Sequence, residues 1–167
     1  MQAVLTLNLN HIAQNYQRLQ RLSAGASCAA VVKADAYGLG AAEVAKTLVT
    51  KGCDTFFVAM MEEGITLRAN LPDPAIRIYV LAGVFAGEEQ LFLQHALSPV
   101  LNDPSQAKNW LQHIEAANSK GCHSALHLDT GMARLGFQPE DFGQLAAIAR
   151  GLGDPLLMSH LCSAEEK

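Results

Sequence analysis

Along most of its length the chain alternates short apolar runs with longer amphipathic stretches, and this alternation limits the fold more than any single residue does. The runs SCAAVVK (27–33), TFFVAM (55–60), IRIYVLAG (76–83), LSPVL (97–101), SALHLDT (124–130) and PLLMSHL (155–161) read as strands. Between them lie helical patterns at 41–52, 62–70, 87–96, 102–121 and 139–151. Strands that are apolar on both faces are buried on both faces, and strands joined by helices pair in parallel. The punctuation agrees: Asn10 is placed to cap a helix running to about Leu22, and Gly52 to close another. Pro72 stops a third, and Asp103 followed by Pro104 opens a fourth. AVLTLNL (3–9) alternates like a half-buried strand and stands ahead of the first helix.

Six such strands fit either a doubly wound sheet or part of an eight-stranded barrel, and the pattern alone leaves both open. A complete barrel takes about 250 residues, whereas this chain has 167. On the barrel reading the last quarter is missing, and the sheet has two exposed parallel edges that invite pairing with another chain. No linker or repeat marks a second domain.

Composition excludes several classes. A formal net charge of −4 without a basic cluster argues against a nucleic-acid surface. No apolar run approaches the roughly 18 residues of a membrane span, and the N-terminus lacks a signal-peptide layout. Cys28, Cys53, Cys122 and Cys162 are scattered without a CxxC, so no metal site or disulfide framework is indicated, and each reads as a small buried hydrophobe. The inference is a soluble cytoplasmic protein with reduced thiols.

The residues that stand out chemically are Lys33, Asp129, Arg134 and His160, each at or just beyond the C-terminal end of an expected strand. That end carries the ligand site in both candidate folds. An ammonium buried without a partner is driven toward its neutral, nucleophilic form, which is what Schiff-base formation with an aldehyde requires. After Lys33 comes DAYGLG, a turn-rich loop with Gly38 and Gly40 that leads into a helix, where an anion such as a phosphate would be favoured near Tyr37. His11, His95, His113 and His123 form no constellation and read as surface or helix positions.

VVKADAYGLG (31–40) resembles the pyridoxal-phosphate attachment motif of the alanine racemase family. LDTGMARLGF (128–137) is similar to a second block of that family, and SHLCSAEE (159–166) to a third, weaker one, in the same order and spacing. The resemblance implies a fold-type III pyridoxal 5'-phosphate enzyme with a (β/α)8 barrel, about six of whose eight parallel strands lie in 10–167. It implies that Lys33 binds the cofactor covalently and acts as one of two proton-transferring bases. Tyr37 would contact the phosphate, Arg134 the phenolic oxygen and the substrate carboxylate, and His160 the pyridine ring. Residues 1–9 would be a strand joining a C-terminal β domain, the region that also supplies the second base in a head-to-tail homodimer. The implied activity is interconversion of L- and D-alanine, a source of D-alanine for peptidoglycan precursors, with this chain inactive alone. Many family members carry a carbamylated lysine two residues before the motif aspartate. Here that position is His127, which excludes a carbamate and leaves an imidazole to bridge to Arg134. A racemase for another small amino acid, a non-catalytic pyridoxal-phosphate-binding barrel and an inert fragment are the alternatives.

Overall fold

The structure, a computed structural model, describes residues 3–119 and 122–164. Six parallel strands neighbour one another in the order in which they occur along the chain. Sequential order is that of a (β/α) barrel; a doubly wound sheet reverses order part-way. The chain therefore supplies six of the eight strands of that barrel class. No helix among the described residues is long and apolar enough to cross a membrane. The chain divides into two compact units, Met1–Ile78 and Tyr79–Lys167.

In the first unit, residues 3–8 have no regular structure, and Val4 and Leu5 are 85% and 80% exposed. A strand needs a neighbour, and no described residue pairs with the strand expected there. Helix α1 (Leu9–Leu22) is capped by Asn8, not by Asn10: the Asn8 side chain accepts from the N–H groups of Asn10 (3.0 Å) and His11 (3.3 Å). Asn8 has an extended backbone, which turns its side chain back onto those free donors, whereas Asn10 already lies inside the helix. From the buried face of α1, the Tyr16 hydroxyl donates to the Cys28 carbonyl at 2.8 Å. Strand β1 (Ala30–Val31) is shorter than the apolar run that contains it, and pairs with β2 (Thr55–Val58) at Ala30↔Phe56 and Val31↔Phe57. A one-turn segment, α2 (Lys33–Gly38), and helix α3 (Ala41–Val49) connect them, and α4 (Met61–Asn70) follows β2. The Arg68 guanidinium donates to the carbonyls of Leu71, Asp73 and Ile76, which fixes the turn into β3 (Arg77–Val80). The core is Val44, Ala45, Leu48, Phe56, Val58, Leu67 and Ile78.

In the second unit, β3 pairs with β4 (Ser98–Leu101), β4 with β5 (Ala125–Leu128), and β5 with β6 (Leu156–Ser159). Helices α5 (Glu89–Gln94), α6 (Pro104–Ala116) and α7 (Phe142–Leu152) are interleaved, and a 3-10 turn at Pro139–Asp141 precedes α7. Asp103 caps α6 as expected. Phe92 and Trp110, both fully buried, meet edge to face at 6.0 Å, an arrangement that adds about 1 kcal/mol to their burial. Leu156 and Leu157 of β6, which pairs on one side with β5, are 43% and 63% exposed. The four cysteines are free, but only Cys53 is buried; Cys28 and Cys122 are half-buried and Cys162 is exposed, which corrects the expectation of four buried thiols.

Candidate active site

Val32 is almost fully buried and its N–H donates to the Phe57 carbonyl, which holds the end of β1 in place. Lys33 comes next and is half-buried, with its Nζ 5.9 Å from the centroid of the Tyr37 ring. The backbone then turns left-handed for four residues that are not glycine: Ala34, Asp35, Ala36 and Tyr37 have φ between 50° and 56°. Such a conformation costs about 1–2 kcal/mol per residue, so something must hold it. The Ala36 N–H donates to the Val32 carbonyl (2.9 Å) and the Gly40 N–H to the Asp35 carbonyl (2.9 Å). The Asp35 carboxylate accepts from the Ala41 N–H at 2.7 Å and so ties the turn to the start of α3. Glu63, in the first turn of α4, accepts from the Ala34 N–H at 2.7 Å through one oxygen. Its other oxygen accepts from Ala59 (2.7 Å) and Met60 (3.3 Å). Gly38 and Gly40 have φ of 83° and 87°, while a Cβ on either would meet only open space. The turn needs these glycines for their backbone angle and not for room.

In the second unit the segment after β5 folds back on the strand that precedes it. The Asp129 N–H donates to the Phe137 carbonyl (3.0 Å) and the Phe137 N–H to the His127 carbonyl (2.7 Å), with the Phe137 ring fully buried as the anchor. Inside the loop, the Asp129 carboxylate accepts from the N–H groups of Gly131 (2.9 Å) and Ala133 (3.1 Å) and from the Gln138 side chain (3.2 Å). These donors, Ala133 first, hold its pKa below the usual carboxylate range. Asp129 thus shapes the loop, and Arg134 is displayed on it, exposed and without a hydrogen bond or ion pair among the described residues. Thr130 and Ser159 share a hydroxyl–hydroxyl hydrogen bond, which brings this loop to the end of β6, where His160 is exposed.

Beneath the loop, His127 is 6% exposed and its Nδ1 lies 2.8 Å from the Asn102 side-chain oxygen. The Asn102 amide nitrogen donates to the carbonyls of Leu81 and Val100, both at 3.0 Å, so its oxygen faces the ring as an acceptor. His127 Nδ1 therefore carries the proton. Burial pushes the His127 pKa down, and the nearby His160 and Arg134 push it further, against Asp129. The ring is neutral at pH 7, with Nε2 left as an acceptor.

The structure brings Lys33 and Tyr37 together in the first unit, and His127, Asp129, Arg134 and His160 around the β5 and β6 ends in the second. Glu63 and Asn102 were not anticipated. The only sequence signal for Glu63 is an acidic residue in a helix's first turn, and Asn102 is a helix-start residue whose partner lies 25 positions away. Each unit by itself carries groups that suit pyridoxal phosphate: in the first a primary amine beside a phenol, and in the second an exposed guanidinium, without a partner among the described residues, and an exposed imidazole.

The family model described as "Alanine racemase, N-terminal domain" matches residues 7–167. Over 98% of its length the chain is 45% identical to an alanine racemase of Rhodospirillum rubrum and 42% identical to a catabolic alanine racemase of Mesorhizobium japonicum. It covers 44% and 43% of those proteins, and so spans less than half the length of the curated relatives it matches. Among solved structures, the alanine racemase from Bartonella henselae with covalently bound pyridoxal phosphate superposes with a TM-score of 0.89. The identity there is 34%, over 96% of this chain and 47% of that one. A histidine racemase from Leuconostoc mesenteroides, 22% identical at a TM-score of 0.80, shares the fold alone. The chain belongs to the alanine racemase family, and what it contains of that family is the N-terminal domain.

Proposed function

We propose that this chain is the N-terminal part of a pyridoxal-5'-phosphate-dependent alanine racemase and that Lys33 is its attachment lysine. The observation that carries the reading is the Lys33 amine, held at the end of β1 by a left-handed turn and free of any acidic partner among the described residues. Pyridoxal phosphate, when bound, supplies an electron sink for the pair released as the α C–H bond of the amino acid breaks. Lys33 Nζ would hold the cofactor and would move a proton on one face of the substrate α-carbon. Tyr37, a residue 65% exposed, is assigned to the phosphate. Arg134 holds the substrate carboxylate with its planar fork of donors, while the neutral His127 beneath leaves Nε2 to accept from it. His160 would pack against the cofactor ring.

Inversion at carbon takes a second base on the opposite face. We assign it to the part of the relatives that extends beyond this chain, together with completion of the barrel and a homodimer that closes the site. Residues 1–167 alone are accordingly expected not to racemise alanine. Alanine, as against another small amino acid, rests on relatives named alanine racemase at 45% and 42% identity. A cytoplasmic setting and a role in supplying D-alanine belong to the same reading. The test is the visible spectrum of the purified chain with added pyridoxal phosphate. The reading expects a violet-region band that persists on gel filtration and is missing from Lys33→Ala. A chain and a variant with identical spectra would refute the assignment of Lys33.

A further inference from the structure

We infer that Glu63 is a positioning residue for the Lys33 amine, acting through the peptide N–H next to it. The inference rests on the reading of Lys33 as the attachment lysine. Glu63 uses its two oxygens on opposite sides: Oε1 takes the Ala34 N–H at 2.7 Å, and Oε2 takes those of Ala59 and Met60 at 2.7 and 3.3 Å. The second pair fixes the end of β2 to the start of α4, and reaching back to Met60 caps that helix. The first bond has no part in capping α4. It crosses 29 positions of sequence to the first residue of the left-handed turn, immediately after Lys33.

The Ala34 N–H is thus held by a side chain from outside the turn. The next residues of the turn are tied elsewhere, Ala36 to Val32 at the end of β1 and Asp35 to Ala41 at the start of α3. Beside the bridge a cavity of about 390 Å³ opens, lined by Val32, Asp35, Ala41, Glu62 and Glu63 among others, so close packing does not fix the turn on that side. Without the bond, Ala34 would be free to leave a backbone region that alanine rarely occupies, and Lys33 would turn with it.

Only a carboxylate can accept on both sides. In the isosteric variant Glu63→Gln, the side-chain amide would turn its NH₂ toward a backbone donor whichever way it is set. Glu63→Asp keeps the charge near the α4 start but is one methylene short for the span to Ala34. The experiment uses the 167-residue chain in three variants, Glu63→Gln, Glu63→Asp and the neighbouring control Glu62→Gln, with folding checked by circular dichroism. Two quantities are read. One is amide hydrogen exchange at Ala34 without cofactor. The other is the yield of borohydride-fixed pyridoxal phosphate on Lys33, with Lys51 and Lys108 as internal references. Loss of a hydrogen bond to a charged group predicts about ten- to hundredfold faster exchange at Ala34 and a comparable fall in Lys33 yield in both Glu63 variants. Lys51, Lys108 and Glu62→Gln should be unchanged. Wild-type labelling of Lys33 in a folded Glu63 variant would overturn the inference. If the wild type itself is not labelled at Lys33, the attachment reading fails. The role of Glu63 is then decided by the rate at which trinitrobenzenesulfonate modifies Lys33, which an equal rate in Glu63→Gln would refute.

Discussion

Gly136→Ala should unfold the loop that carries Arg134, and the size of the effect follows from backbone geometry. Gly136 has φ of 113°, and a Cβ there would stand 2.7 Å from the Asp129 nitrogen and 3.0 Å from both the His127 oxygen and the Leu128 carbonyl carbon. All three are backbone atoms at the end of β5, so no side chain can swing aside. The loop must move, and moving it endangers the two hydrogen bonds between Phe137 and β5, at 3.0 and 2.7 Å. Each contributes about 0.5–1.5 kcal/mol net, and the backbone angle adds about 1–2 kcal/mol for a residue with a Cβ. Alanine stiffens the unfolded chain by about 0.4–1 kcal/mol, which partly offsets this. The expected net loss is about 2–4 kcal/mol, a large share of the roughly 5–15 kcal/mol typical of a domain. Urea denaturation of the chain measures it directly. Gly143→Ala is the matched control, because Gly143 is in α7 with open space around its Cβ position. That change should stabilise by up to about 1 kcal/mol. A Gly136→Ala protein within about 0.5 kcal/mol of wild type would refute the argument from close approach.

Other expectations follow from the same unit. The folded state depresses the His127 pKa below its unfolded value of about 6.5, so the unfolded chain binds more protons in that interval. Stability should therefore fall as pH drops below about 6.5, and NMR titration should place the His127 midpoint lower than that of an unstructured histidine. Asp129 is held below the ordinary carboxylate range, so its contribution is intact above about pH 4 and is lost as pH falls further; Asp129→Asn should flatten the acid limb of the stability curve. Asn102→Leu removes the acceptor for His127 and the donor to Leu81 and Val100, and should cost about 2–4 kcal/mol in urea denaturation. Asn102→Asp should instead raise the His127 pKa, because a carboxylate beside the ring favours its charged form.

Where burial is complete on both faces, the sequence spelled out the element: Phe56, Val100 and Leu126 lie in runs no amphipathic helix would use. The Asp103–Pro104 start of α6 was equally plain. The first cap was not, because Asn8 and Asn10 have the same side chain and only backbone angle separates them. The motif lysine could be found from its neighbours, but the left-handed turn after it could not. Ala-Asp-Ala-Tyr carries little preference for that conformation, which is imposed by Glu63 from 29 residues away and by the contact of Asp35 with α3. His127 was visible only as a departure from the family pattern. Its burial and tautomer depend on Asn102, a partner that no local spacing reveals.

The most direct test is where pyridoxal phosphate attaches. The chain is incubated with the cofactor, reduced with borohydride, digested and mapped by mass spectrometry beside Lys33→Ala. The account predicts one dominant phosphopyridoxyl peptide containing Lys33, absent from the variant. Label spread over Lys46, Lys51 and Lys108 at equal levels in both proteins, with none enriched at Lys33, would contradict it.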